Sequence, residues 1–261
     1  MLIRTTTRHV GSWHVSATLP RPSGLSRSLW HQALLGINET LMREACIAFG
    51  LDEQDEVVLC MQPDAPFGDP LAMARELQRF HEIWCGAHGV ASAASAAPIA
   101  LSAIEDFVVP ADTCEDDEVE QQEEAASQCL MDNLLGLGVS AQRACQIAAA
   151  GHLWLDNAEI AFEPACRGKA LLLHISLQNG PLDGTGEAAL WLNNKLMAEH
   201  GLAMGRGEHG YRLLAHWPCD GRAGLAFKDY LLTLADLPTT LIGDTASRGQ
   251  ADNELDALLR I

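Results

Sequence analysis

Two short stretches carry residue types at spacings that could do chemistry. Gly205-R-G-E-H-G210 is a literal G-x-G-x-x-G, whose backbone N–H groups cradle a dinucleotide pyrophosphate when the motif follows a strand and opens a helix. His81-E-I-W-C85 stands one residue from H-E-x-x-H, in which two histidines one helical turn apart hold zinc and the glutamate acts as a base. Neither context suits the chemistry. Tyr211 to Trp217 alternates as a strand, so the glycines before it predict a hairpin turn. Cys85 replaces the second histidine, on a segment patterned as an ordinary amphipathic helix. His200, His209 and His216 cluster in one segment with no cysteine or carboxylate at ligand spacing, and Asp183-G-T-G186 reads as a turn leading into a helix. No G-x-S-x-G and no reactive-cysteine signature is present. The expectation is a protein that is not an enzyme, with no metal and no cofactor.

The elements around the glycines are more informative than the glycines. Moving Ile37 to Pro63 by 155 residues lays it without a gap on Leu192 to Pro218. The identical pairs are Asn38/Asn193, Leu41/Leu196, Met42/Met197, Glu44/Glu199, Ala48/Ala203, Gly50/Gly205, Glu53/Glu208, Leu59/Leu214 and Pro63/Pro218. Unrelated stretches would agree at roughly one position in fifteen, so the repeat is real. Each copy predicts the end of a helix, a strand (45–51 or 200–206), a tight turn and a strand (56–62 or 211–217) closed by proline. A helical pattern follows in both, at 71–84 and 225–235. Strands at 13–19 and 171–177 lie upstream of the repeated helices, for which Ser28 and Thr185 are candidate N-caps.

The second copy carries more in front: a helix at 123–136 and a strand, turn and strand in His152-L-W-L-D-N-A-E-I-A-F-E-P164. The fold class expected is α+β in two units, the second α-β-β-β-α-β-β-α and the first lacking the leading helix and strand. The domain reading is a degenerate unit at 1–86, an Ala/Ser-rich and acidic linker at 87–122 with a short strand at Phe107-V-V109, a complete unit at 123–242 and a tail at 243–261.

Composition sets outer limits. With 261 residues, 48% of them apolar and 20% charged, the chain can bury a proper core. A formal charge of -18 argues against a phosphate-backbone partner, since such binding rests on clustered Lys and Arg. Part of that charge sits in Cys114-E-D-D-E-V-E-Q-Q-E-E124, read as a solvated linker or helix face. Eight cysteines are scattered without a C-x-x-C, and Cys46, Cys60 and Cys129 lie in apolar surroundings, which suits a reducing cytosol. The opening Met1-L-I-R-T-T-T-R-H9 has no apolar signal core, and no run is long enough to span a bilayer. The expected location is the bacterial cytoplasm, without membrane insertion or nucleic-acid binding.

From about 123 to 242 the order of elements resembles the class I type III secretion chaperones, the family that includes the Tir chaperone. The resemblance rests on Cys129-L-M-D-N-L-L-G-L-G138, Leu153-W-L-D-N157, Ile160-A-F-E163, Leu171-L-L-H-I-S-L177 before Gly180-Pro181, Leu190-W-L-N193, Leu202-A-M-G205, Tyr211-R-L-L-A-H-W-P218 and the closing helix. None of these is a catalytic signature; order and spacing carry the likeness. The first half resembles the same family from its second strand onward.

The resemblance implies an ATP-independent chaperone that holds the non-globular N-terminal region of a secreted effector in extended form. It implies client contacts around Leu130, Leu134, Leu153, Leu155, Ile160 and Phe162. It also implies pairing of the two halves through helices containing Leu35, Ile37, Leu190 and Leu192, as an intramolecular pseudo-dimer or a homodimer. The alternative on the same fold is an adaptor that binds a secretion regulator, a gatekeeper or another component of the apparatus.

Overall fold

The computed structural model describes residues 4–6, 14–63, 69–93, 116–155, 158–177, 186–207, 210–219 and 225–244. The protein is mixed α+β, with six helices and two antiparallel sheets among these residues. In chain order the elements are β1 (Arg4–Thr6), β2 (His14–Thr18), α1 (Arg27–Ala45), β3 (Ile47–Leu51), β4 (Val57–Met61), α2 (Pro70–Ala93), α3 (Asp116–Gly136) and α4 (Ala141–Ala150). They continue with β5 (His152–Leu155), β6 (Ala158–Ala165), β7 (Ala170–Ser176), α5 (Glu187–His200), β8 (Ala203–Gly207), β9 (Gly210–Pro218) and α6 (Leu225–Asp244).

The repeat and the packing divide the chain differently. One compact unit comprises residues 1–112 with 183–208, and the other comprises 113–182 with 209–261. Helix α5 and strand β8 belong to the second repeat in sequence and to the first unit in space.

In the first unit the sheet order is β1-β2-β4-β3. Strands β3 and β4 are buried at every position, so they read as continuous apolar runs without alternation. Helix α1 starts at Ser26, not Ser28: the Ser26 hydroxyl accepts from the Leu29 N–H. It ends at Cys46 in a left-handed conformation, the backbone N–H donating to the Met42 carbonyl. Its equivalent, α5, has Gly186 at its N-cap with no side-chain cap, and Thr185 lies outside the described residues. Helix α2 buries Phe80, Ile83, Ala87 and Ala91, one face at helical spacing, and its Trp84 Nε1–H donates to the Thr18 carbonyl at 3.0 Å.

The two repeated helix–strand pairs pack crosswise: α1 lies against β8 as well as β3, and α5 lies against β3 as well as β8. At their junction sit Asn38 and Asn193, both fully buried. The Asn38 Nδ2 group donates to the carbonyls of Phe49 and Met204 at 3.1 Å each, and the Asn193 Nδ2 group donates to the same two at 2.9 and 3.0 Å. Each amide oxygen accepts from the strand of its own repeat, Phe49 N–H to Asn38 Oδ1 at 2.7 Å and Met204 N–H to Asn193 Oδ1 at 2.5 Å. Positions 38/193 and 49/204 are both related by the 155-residue offset, so the network obeys the symmetry of the repeat. Gly50 completes the junction: a Cβ there would lie 2.9 Å from the Asn194 backbone nitrogen and 3.1 Å from the Leu190 carbonyl oxygen, so only glycine admits α5 this closely.

In the second unit β5, β6, β7 and β9 stand side by side in that order. The register pairs Ile160 with Ile175 and Phe162 with Leu173, and then Leu173 with Ala215 and Leu171 with Trp217. These residues share one face, which α3 covers over β6 and β7 and which α6 meets through Phe227, 4.9 Å from Trp217 between ring centroids.

One element departs from expectation. Residues 141–150 form α4, so the second set runs α-α-β-β-β-α-β-β-α and not α-β-β-β-α-β-β-α. Its bounds are well signed, with the Ser140 hydroxyl accepting from Arg143 N–H and Gly151 closing the helix at φ 70. The helix itself is ten residues long and Ala-rich, and it fully buries only Ala144, so its pattern extends over fewer than three turns. Helix α2 extends to Ala93 and α3 begins at Asp116; residues 94–115, including Phe107-V-V109, lie outside the described residues.

Removing one amide from the asparagine network orphans a buried N–H and takes one of two donors from each carbonyl. Asn38→Ala and Asn193→Ala are each expected to cost about 1–3 kcal/mol in urea denaturation, and the double variant less than the sum because the two amides share both acceptors. Cys60 provides a second check. Its thiol is buried, donates to the Ala48 carbonyl at 3.1 Å, and is pushed by burial from 9.0 to about 12. Above about pH 9 the unfolded chain releases this proton and the folded chain keeps it. Stability should therefore fall by up to about 1.4 kcal/mol per pH unit toward pH 12, a slope that the Cys60→Ala variant loses.

Candidate functional site

The second unit carries an open groove of about 440 Å³. The C-terminal end of α3 supplies Leu134 and Leu137, the following turn Val139, and α4 supplies Arg143, Gln146, Ile147 and Ala150. The other wall is β5, His152 to Leu155, with Leu231 reaching in from α6. Helix α4 packs on α3 and β5, and this short helix turns a plain sheet edge into a groove.

Strand β5 is an edge strand: among the described residues it pairs only with β6, joining Leu153 to Ile160 and Leu155 to Ala158. The Phe162 N–H donates to the Gly151 carbonyl at 2.7 Å, which fixes the phase of the ladder. In an antiparallel pair every second residue turns its N–H and C=O to the partner strand. Gly151, Leu153 and Leu155 therefore bond toward β6, and the main-chain groups of His152 and Trp154 point outward along the edge. The Trp154 side chain is 62% exposed and Leu135, near the end of α3, is 45% exposed, both large apolar groups beside the groove. Arg143 adds a cation to its wall, its guanidinium donating to Gln146 Oε1 at 3.4 Å, and His152 Nε2 lies 4.0 Å from the Glu159 carboxylate.

The expected client residues separate into two groups. Leu134, Leu153 and Leu155 line the groove. Leu130, Ile160 and Phe162 are buried in the core, at 2%, 0% and 8% exposure. The groove also takes in Leu137, Val139, Ile147, Trp154 and Leu231, which sequence reasoning did not single out; the Ser140…Gly151 brackets of α4 were the signal that could have found Ile147. Leu35 and Ile37 on α1 and Leu190 and Leu192 on α5 are all buried in the first unit, where the two helices touch.

Gly205 and Gly207 lie in β8 and Gly210 opens β9 with φ 122, so a strand and not a helix follows the glycines. His81 Nε2 stands 3.5 Å from Cys85 Sγ on the exposed surface of α2. His200 ends α5 and His216 lies in β9; His209 and residues 183–185 fall outside the described residues. Among the described residues no helix is long and apolar enough to cross a membrane. No family model matches the chain, and neither does any curated protein or solved structure.

The groove's geometry separates support from contact. Leu134→Ala should cost about 2–4 kcal/mol, because its side chain is 1% exposed and leaves a cavity under the groove. Trp154→Ala should change stability by no more than about 0.5 kcal/mol and remove the emission of the tryptophan that is most accessible to acrylamide among the described ones. Chemical denaturation and quenching of the two variants measure the difference.

Proposed function

We propose that the chain is an ATP-independent secretion chaperone of the type III class, which binds the extended N-terminal region of a secreted effector in the bacterial cytoplasm and keeps it competent for export. The observation that carries this reading is the β5 edge beside an apolar groove. Outward N–H and C=O groups at His152 and Trp154 suit an added strand, and the leucines of the groove suit its alternate side chains. Such recognition reads backbone and apolar pattern more than sequence, which is what an extended client presents.

The crosswise packing of the repeats supports the tandem form of the proposal. A repeat whose helix packs against the strand of the other copy behaves as a pseudo-dimer within one chain, and covalent linkage places the copies at an effective concentration of about mM or more. No nucleotide is required by such a mechanism, because the apolar surface is offered permanently and client release follows from competition by unfolding and export.

Co-expression with candidate effectors followed by limited proteolysis tests the reading. The expected product is a complex in which a non-globular N-terminal fragment of the effector survives digestion, and Leu153→Asp or Trp154→Asp should weaken it by about tenfold or more. Capture of a folded regulator with no protected extended fragment, and with affinity untouched by these substitutions, would replace the chaperone role with that of an adaptor.

A further inference from the structure

We propose that Cys166 is a nucleophilic thiol activated by His216, a modification site whose substrate class is the small-molecule disulfide. This goes beyond the chaperone reading and does not depend on it. The residues lie fifty positions apart and the fold brings Cys166 Sγ to 3.3 Å from His216 Nε2. Cys166 opens the turn between β6 and β7, at the end of β6 remote from β5, and His216 reaches it from β9 two strands away in sheet order.

The turn is built in an unusual way. Cys166 and Arg167, consecutive residues with Cβ atoms, both hold positive φ, 49 and 57. The Lys169 N–H donates to the Cys166 carbonyl at 3.3 Å, and the Lys169 carbonyl accepts from the Cys219 N–H at 2.8 Å. At Gly168 a Cβ would lie 3.0 Å from the Gln122 Cα, so helix α3 is seated on the turn. The Tyr230 hydroxyl donates to the His216 carbonyl at 3.3 Å. The thiol and the imidazole are thus both fixed by main-chain contacts while Cys166 stays half-buried, open to a small reagent.

The charges favour the thiolate. An imidazolium in hydrogen-bond contact is the arrangement that favours a cysteine's thiolate over its thiol most directly, and the exposed cations Arg167 and Lys169 flank it in the turn. Opposing them are Glu123 and Glu124, which follow Gln122 on α3, and Glu163, which shares a sheet face with His216 through Leu172 and is paired with His174 at 3.2 Å. Arg212 lies on that face too. A contact pair out of bulk water outweighs carboxylates that are solvated or already paired. Cys60 is the counterexample in the same chain: with burial and no cation, its thiol is held protonated. The Cys85–His81 pair, exposed on α2, is screened by water.

The step balances without a further reactant. His216 Nε2 takes the Cys166 proton; the thiolate attacks one sulfur of R–S–S–R, forming Cys166–S–S–R and breaking the reagent's S–S bond. The departing RS⁻ takes the proton from His216 and leaves as RSH. Cys166 is oxidised to the disulfide level as one reagent sulfur is reduced to a thiol.

Alkylation of the whole native protein with limiting iodoacetamide, read cysteine by cysteine by mass spectrometry from about pH 5 to 9, tests the activation. Cys166 should react about tenfold faster than the exposed Cys145 near pH 6, with its rise displaced to lower pH, and His216→Gln should abolish both differences. Oxidised glutathione should add one glutathione mass at Cys166 ahead of Cys145. A Cys166 profile that coincides with that of Cys145 in the unmutated protein overturns the proposal, whatever the folding of the variant. So does a His216→Gln protein of unchanged melting temperature in which Cys166 keeps its rate and profile.

Discussion

Four hydrogen-bonding groups of the main chain, the N–H and C=O of Phe49 and of Met204, are satisfied inside the first unit by two asparagine side chains. This constraint organises the unit. Strand β3 is the last strand of its sheet and is buried at all five positions, so its outer edge has no water to bond. A leucine at 38 or 193 would pack and leave the edge unsatisfied. An asparagine offers two donors and an acceptor, which is what a strand position and its symmetry mate together require. The crosswise arrangement follows, since each helix must bring its amide to both strands at once.

The same economy of elements gives the second unit its groove. Among the described residues the outer edge of β5 pairs with no strand and is partly walled by α4, with Leu134 buried beneath it and Trp154 held out in solvent. A rigid floor and an exposed rim are what an extended segment needs for docking: little has to be ordered on the protein's side, so less of the interaction energy is consumed by ordering. At the far end of β6, the β6–β7 turn shows the opposite use of a sheet end, where main-chain contacts fix the turn that sets Cys166 against His216.

How much of this was legible depended on whether the signal was local. The repeat exposed both hairpins, the closing helices and the equivalence of Asn38 with Asn193, because apolar runs, proline and turn residues act over a few positions. Helix α4 escaped because ten Ala-rich residues carry fewer than three turns of pattern, although Ser140 and Gly151 marked its ends. Of the client residues named, Leu134, Leu153 and Leu155 reach the groove and Leu130, Ile160 and Phe162 do not. All six are apolar residues in amphipathic elements, and sequence pattern gives the buried face without saying which part of it stays uncovered.

The sequence by itself determined the kind and order of most elements, the internal symmetry, and the rejection of Gly205-R-G-E-H-G210 as a nucleotide loop, because each follows from spacing along the chain. Tertiary structure alone decided that α5 and β8 pack in the unit of the other repeat, that both asparagines serve the same two carbonyls, and that Cys166 meets His216. Those contacts span 166, 144 and 50 residues, and no periodicity in a chain reports which of its buried polar groups will face one another. The physical reason is that the strand carbonyls the asparagines satisfy, and the strand order that sets Cys166 beside His216, exist only once the sheets have formed.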